Sequence, residues 1–359
     1  MNITFGGGFI GLEGLTYLGR NIIKQLGENH NVNLDAPEIS GYWEQYYNNF
    51  KPENEDIYIL NGHIPRIPQI LSRLKGRKII PIVIFETDLP QDWIKPLKSP
   101  QIQEIWTISK FGKRLIEKAN IGKEIYVIDT GIDERFKIQG NNMFPKDKSF
   151  KFLHISAPHC KSKIDRKGLD LLLPAFKQVF GDSDKVKLIL KINTIYANQF
   201  FNNFNIHDYL LSLLPSNTNI SNISVTTTNL KTYQMNNLYR SIDCGVFPSR
   251  GECLGYPQLE LISKNVPVIT TNYGATNEYS VESLRVSLEG ETVIGNGFPY
   301  YNSKFAQPSL ADLKNKLKNV YENKQLYIDE TNDIQPKIIR KYSWTNCNKQ
   351  INERLKKYN

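Results

Sequence analysis

Short runs of β-branched and aromatic residues alternate with amphipathic stretches along almost the whole chain, and this alternation restricts the fold more than any single motif does. A strand that recurs after each helical stretch is returned to the same sheet by a crossover, so the pattern specifies parallel sheets covered by helices. In the first half the strand candidates are Asn2–Phe5, Asp56–Leu60, Lys78–Phe85, Glu104–Ile108 and Glu124–Ile128, with helical patterns at Leu15–Leu26 and Ser109–Ala119. In the second half strands are expected at Phe152–Ser156, Val186–Ile192, Ile223–Thr227, Cys244–Phe247 and Val268–Thr271, and helices after Gly168, Met235, Pro257 and Ser309. A chain of 359 residues exceeds one ordinary α/β core, at roughly 100–200 residues per domain. The segment Phe136–Ser149 is polar, carries Gly and Pro and shows neither period, so the interdomain linker is expected there.

The bulk chemistry excludes several classes. With 40% hydrophobic and 23% charged residues the composition is globular. The net charge of +9 is spread along the chain, which suits an anionic ligand, an acidic membrane surface or nucleic acid without choosing among them, or serves solubility alone; no recognised nucleic-acid module accompanies it. Four cysteines, Cys160, Cys244, Cys253 and Cys347, lack paired spacing, so reduced thiols, no disulfide and no zinc are expected. The longest apolar run, Ile79 to Phe85, is too short to span a bilayer, and Met1 leads straight into a strand pattern. The expected compartment is the cytoplasm, with room for peripheral membrane contact.

The richest constellation is Pro248-Ser-Arg-Gly-Glu252-Cys-Leu-Gly255-Tyr-Pro-Gln-Leu-Glu260. A buried strand ends in a Gly-containing loop, and a helix opens at Pro257, a residue suited to a first helical turn. That loop lies at the carboxyl end of a strand, where α/β sheets bind ligands, and backbone amides near Leu254, Gly255 and Tyr256 form an anion site. Glu252 in the loop and Glu260 in the first helical turn address two hydroxyl-bearing parts of one ligand; alternatively both simply complement the helix dipole. Arg166 and Lys167 precede a glycine turn, and Lys191 ends a strand. Cations so placed tighten on a leaving group that gains negative charge, although Lys167 can point away.

Glu-x7-Glu within this motif, followed by Val266-Pro-Val-Ile-Thr, resembles the hallmark of retaining glycosyltransferases of the GT-B fold, family 4 type. Phe152-Leu-His-Ile-Ser with Arg166-Lys-Gly-Leu-Asp170, Val186-Lys-Leu-Ile-Leu-Lys191, Trp106-Thr-Ile-Ser109, Val127-Ile-Asp-Thr-Gly131 and Tyr342-Ser-Trp344 are similar to further segments of that family, so the resemblance runs from about Glu86 onward. It implies an α/β GT-B architecture, two Rossmann-like domains with parallel sheets facing a central cleft. An acceptor domain 1–140, rejoined by a C-terminal helix about 343–359, would pair with a nucleotide-sugar donor domain 149–340. It also implies that Glu260 binds the ribose hydroxyls and Glu252 lies against the transferred sugar. No metal, cofactor or enzyme nucleophile is then expected, and the acceptor is not specified. Departures are Cys253 and Leu254 after the first glutamate, Tyr256 for a common leucine, Asn265 for a usual glycine, and Pro174 inside a helix; they leave the sugar unspecified.

Gly6-Gly7-Gly8-Phe-Ile-Gly11 after the first strand also fits G-x-G-x-x-G, with Asp35 as a ribose partner, the signature of an NAD(P)-dependent oxidoreductase. In a GT-B chain Gly7 and Gly8 would instead let the backbone approach the donor. His63, Glu86 and Asp88 follow strands and are the candidates for binding an acceptor. A third alternative is a sugar- or nucleic-acid-binding protein that turns over nothing.

Overall fold

The computed structural model describes residues 1–7, 14–35, 56–62, 67–133, 141–144, 147–158, 164–194, 204–294 and 303–358. Contacts divide the chain into Met1–Gly131 with Arg340–Asn359, and Ile132–Ile339. The expected linker 136–149 lies partly outside the described residues.

The first unit is built on a six-stranded parallel sheet in the order β2-β1-β3-β4-β5-β6. Its strands are β1 Asn2–Gly7, β2 Asn31–Asp35, β3 Ile57–Asn61, β4 Ile79–Ile82, β5 Ile105–Thr107 and β6 Ile125–Val127. Every residue of β3 and β4 is buried, as expected of strands covered on both faces. The helix Lys110–Lys118 follows β5 and begins where the Ser109 hydroxyl accepts the Gly112 amide at 3.0 Å, a cap worth about 1 kcal/mol. It turns Phe111, Gly112, Leu115 and Ile116 inward. The C-terminal helix Trp344–Leu355 belongs to this unit and packs Trp344 against Gly131, where a Cβ would lie 2.4 Å from the indole.

The second unit holds another six-stranded parallel sheet, ordered β12-β11-β10-β7-β8-β9. Its strands are β7 Phe150–Ser156, β8 Val186–Ile192, β9 Ile223–Thr226, β10 Cys244–Phe247, β11 Val268–Thr271 and β12 Arg285–Val286. The chain enters at the centre with β7, builds outward through β8 and β9, then crosses to the other side of β7 with β10. The order reverses between β7 and β10, which opens a crevice beyond their carboxyl ends. Phe152, Leu188, Leu190 and Val246 pack under Leu169, Leu172 and Phe176 of helix Leu169–Phe180 and Leu313 and Leu317 of helix Leu310–Glu322. Among the described residues no helix is long and apolar enough to cross a membrane.

Several elements differ from the sequence pattern. The run Lys78–Phe85 is strand only over Ile79–Ile82. The helix expected after Met235 begins earlier, spanning Thr232–Arg240, because Gln234 closes a capping box on the Lys231 amide. Strands β2 and β12 and the antiparallel hairpin β13 Leu288–Ile294 with β14 Ser303–Pro308 carry no pattern that distinguishes them. Helix Leu169–Phe180 runs through Pro174 without ending. Asn265 does take a left-handed φ of 59°.

Candidate active site

Three loops meet at the crevice of the second unit. The loop after β7 turns at Gly168, whose φ is +77° and whose added Cβ would lie 2.1 Å from the Pro248 carbonyl oxygen, so no other residue fits. The loop after β10 is stitched to it. The Arg250 amide donates to the Arg166 carbonyl at 2.8 Å, and the Arg166 guanidinium donates to the Gly251 carbonyl at 2.8 Å. Arg250, buried, grips both Asp170 carboxylate oxygens at 2.8 Å and also donates to the Asp165 carbonyl. Such a fork-to-fork pair fixes orientation as well as distance. From the loop after β11, Ala275 donates its amide to the Glu252 carbonyl at 2.9 Å, and the Tyr279 hydroxyl lies 2.5 Å from the Leu254 carbonyl and 3.0 Å from that of Gly255. Leu254 is buried, and its carbonyl is held by the Tyr279 hydroxyl.

Glu252 is buried in a cationic clamp. Lys167 Nζ donates to its Oε1 at 2.5 Å and an Arg166 nitrogen lies 3.4 Å from its Oε2. Burial alone would raise the carboxyl pKa, but the charges of Lys167 and Arg166 outweigh it and hold the value at about 2. Lys167, which the sequence left free to point away, thus points inward. Beneath the clamp His154 is fully buried, with Nδ1 2.7 Å from the Val246 carbonyl, and burial pushes its pKa down to about 4.

Glu260 lies deeper than expected. The helix Tyr256–Ile262 starts from Gly255 as its left-handed N-cap, which sets Glu260 at the fifth helical position rather than in the first turn. A dipole-complementing role for it is therefore excluded in favour of a buried contact: the Tyr239 hydroxyl donates to its Oε2 at 2.6 Å. Burial raises the Glu260 pKa to about 8, the Tyr239 hydrogen bond opposing and the Asp133 charge reinforcing it. Tyr256 is half-buried at the helix start. Lys191, at the carboxyl end of β8, is buried with its ammonium 3.5 Å from the Ile192 carbonyl; burial lowers its pKa, and among the described residues no carboxylate pairs with it.

The structure thus joins Glu252, Arg166 and Lys167 in one cluster, while Glu260 and Lys191 keep other surroundings. Tyr239, Arg250, Asp170 and Tyr279 organise the site without having been singled out. Only Arg250 and Asp170 carried a signal, as charged residues within two positions of motif glycines; Tyr239 meets Glu260 across 21 residues, a separation that no spacing rule reads.

In the first unit Gly7 closes β1 with φ +103°, and an added Cβ would lie 1.8 Å from the Asn61 carbonyl oxygen. Close approach of β1 and β3, where the strand order reverses, therefore already requires this glycine. Gly8 and His63 lie outside the described residues. Asp35 is engaged by the Tyr58 hydroxyl at 2.8 Å and by Arg73, which occupies the carboxylate that a ribose would need. Glu86 is half-buried, and Asp88 is exposed and paired with Lys118 at 2.6 Å. Among the described residues no group of three His, Cys, Asp or Glu side chains is arranged as metal ligands.

No family model and no curated protein matches the sequence. Solved structures do match across nearly the full chain. A glycosyltransferase from Rickettsia africae ESF-5 is 15% identical with a TM-score of 0.71, covering 99% of this chain and 98% of that one. Anabaena Alr3699/HepE, solved in complex with UDP-glucose, is 16% identical with a TM-score of 0.68 over 99% and 100% of the two chains. Sucrose-phosphate synthase from Thermosynechococcus elongatus is 10% identical with a TM-score of 0.68 over 99% and 98%. Two α/β units with six parallel strands each, the second reversing its strand order at a loop cluster, give this chain the fold of the GT-B glycosyltransferases.

Proposed function

We propose that this protein is a retaining glycosyltransferase that moves a hexose from a nucleotide-diphosphate sugar to an acceptor hydroxyl without a metal ion. The observation that carries the reading is the Glu252–Lys167–Arg166 cluster at the β7/β10 crevice, with Glu260 one helical stretch further on. The complex of Anabaena HepE with UDP-glucose, on the same fold, supports a nucleotide-sugar donor.

Glu252 is too acidic to take a proton from a hydroxyl at neutral pH, and two cations damp its nucleophilicity. It serves best as a fixed hydrogen-bond acceptor for the sugar hydroxyls. Bond cleavage loads negative charge onto the diphosphate, which Arg166 and Lys191 stabilise, and among the described residues Lys191 has no carboxylate to surrender. The departing phosphate oxygen takes the acceptor proton on the same face, which retains the anomeric configuration. Glu260 binds the ribose hydroxyls.

A panel of UDP-, GDP- and ADP-sugars, read by mass spectrometry for transfer and slow hydrolysis, tests the activity; nucleotide binding with no turnover of any donor would leave only a binding protein. At pH 9, where the Glu260 carboxyl is ionised, changing it to Ala is expected to weaken nucleotide binding by roughly 1.5–3 kcal/mol, the scale of hydrogen bonds to charged groups. Unchanged affinity in calorimetry would remove Glu260 from the donor site.

A further inference from the structure

The first unit carries a groove that the transfer chemistry does not use. Helix Lys110–Lys118 buries Phe111, Gly112, Leu115 and Ile116 against the sheet, which turns Lys110, Lys113, Arg114 and Glu117 outward together. This charged face is not simply open to solvent. Val127 at the end of β6, Asp129 just beyond it and Lys341 stand opposite and close a groove of about 420 Å³. That volume suits a small molecule. The groove lies where β5 and β6 end, at the carboxyl edge on which parallel sheets present ligand sites.

Four cations face two carboxylates, and the carboxylates are already engaged. Asp129 accepts from Gln350 at 3.0 Å and lies 3.5 Å from Lys341, while Glu117 pairs with Lys113 at 3.7 Å. Among the described residues no carboxylate pairs with Lys110 or Arg114. The Ser109 hydroxyl already occupies the Gly112 amide, so attraction for an anion comes from the side chains more than from the helix end.

We propose that this groove binds the phosphate group of a phosphorylated small molecule, with Arg114 and Lys110 as its principal ligands and Lys113 and Lys341 completing the field. Arg114 offers the planar fork that grips two phosphate oxygens, and Lys110 stands one turn before it on the same face. The inference is independent of the transferase reading, because binding here needs no nucleotide. The ligand is either an acceptor that carries a phosphate or an effector that is not consumed.

Calorimetry of the full chain with inorganic phosphate, glycerol phosphate and a hexose phosphate, in the absence of nucleotide, tests it. Both phosphate esters are expected to bind, with affinity falling as ionic strength rises, and the unphosphorylated hexose is expected to be silent. The double variant Lys110→Gln, Arg114→Gln should weaken the esters at least tenfold while UDP affinity and thermal unfolding stay unchanged; Glu117→Gln, which removes a repelling carboxylate, should tighten them. Absence of binding by every phosphate compound, or binding that survives the double variant, overturns the proposal. When donor is added, consumption of the ester marks it as acceptor, and bound but unconsumed ester marks an effector; either outcome keeps the site.

Discussion

Glu252 and Glu260 stand in one short segment, yet their carboxyls are driven in opposite directions. For Glu252 the clamp of Lys167 and Arg166 overcomes burial and brings the folded pKa to about 2, below the ordinary 4.5. A depressed value stabilises the fold above the unfolded pKa and is lost as pH falls from about 4.5 toward 2. For Glu260 burial dominates and the folded value is about 8. Between about 4.5 and 8 the folded state then holds a proton that the unfolded chain has released, so this group costs stability progressively as pH rises through that window. The variant Glu260→Gln is therefore expected to melt near the wild-type temperature at pH 5 and several degrees above it at pH 8.5, measured without nucleotide; an identical offset at both pH values would refute the assignment. Lys167→Ala should lower unfolding free energy by about 3–5 kcal/mol in urea titration, since it strips a partner from a buried carboxylate. Adding Glu252→Gln to that variant should recover part of the loss.

At the scale of elements, glycine and proline positions set the site's geometry. Gly168→Ala must accept a left-handed φ and a Cβ 2.1 Å from a backbone oxygen, so a loss above roughly 2 kcal/mol is expected, together with weaker donor binding as the two loops part. Pro174 is the converse case. It deprives the Asp170 carbonyl of its helical donor, about 3 kcal/mol in a helix interior, against under ~1 kcal/mol recovered through a stiffer unfolded chain. Pro174→Ala should raise stability by about 2 kcal/mol, and a loss in chemical denaturation would show that the helix uses the proline to pack. The same elements show what the pattern could reveal. Strands β10 and β11 are continuous buried runs, and their bounds were readable because burial on both faces leaves no polar alternation to blur them. Strand β2, Asn-Val-Asn-Leu-Asp, and the pair β13–β14, of which β13 is mostly exposed, owe their form to neighbours rather than to composition. Glu252 and its cations were legible as types around glycines. The depth of Glu260 was not, since it depends on Gly255 rather than Pro257 opening the helix.

At the scale of the whole molecule, the contacts assign the last helix to the first unit although it follows the second in sequence. Trp344, Cys347, Ile351 and Leu355 bury one face of it, and Arg354 donates to Glu104, a carboxylate with no exposed surface, at 2.6 and 3.0 Å. Burial opposes ionisation of Glu104, but hydrogen bonds from Arg354, Lys357 and Trp106 outweigh it and lower its pKa. Losing Arg354 leaves that charge short of its main partner, at a cost of about 3–5 kcal/mol, which for a unit of this size amounts to roughly 6–20 °C. The donor ligands proposed above belong to the second unit, where a nucleotide bound at a hundredfold excess over its dissociation constant would add about 2.7 kcal/mol. Scanning calorimetry should therefore resolve two transitions. Arg354→Ala is expected to lower one and leave the other in place, and UDP to raise the one that Arg354→Ala spares. If variant and nucleotide instead displace a single common transition, the two units unfold together, and the division of the chain into separately stable cores is wrong.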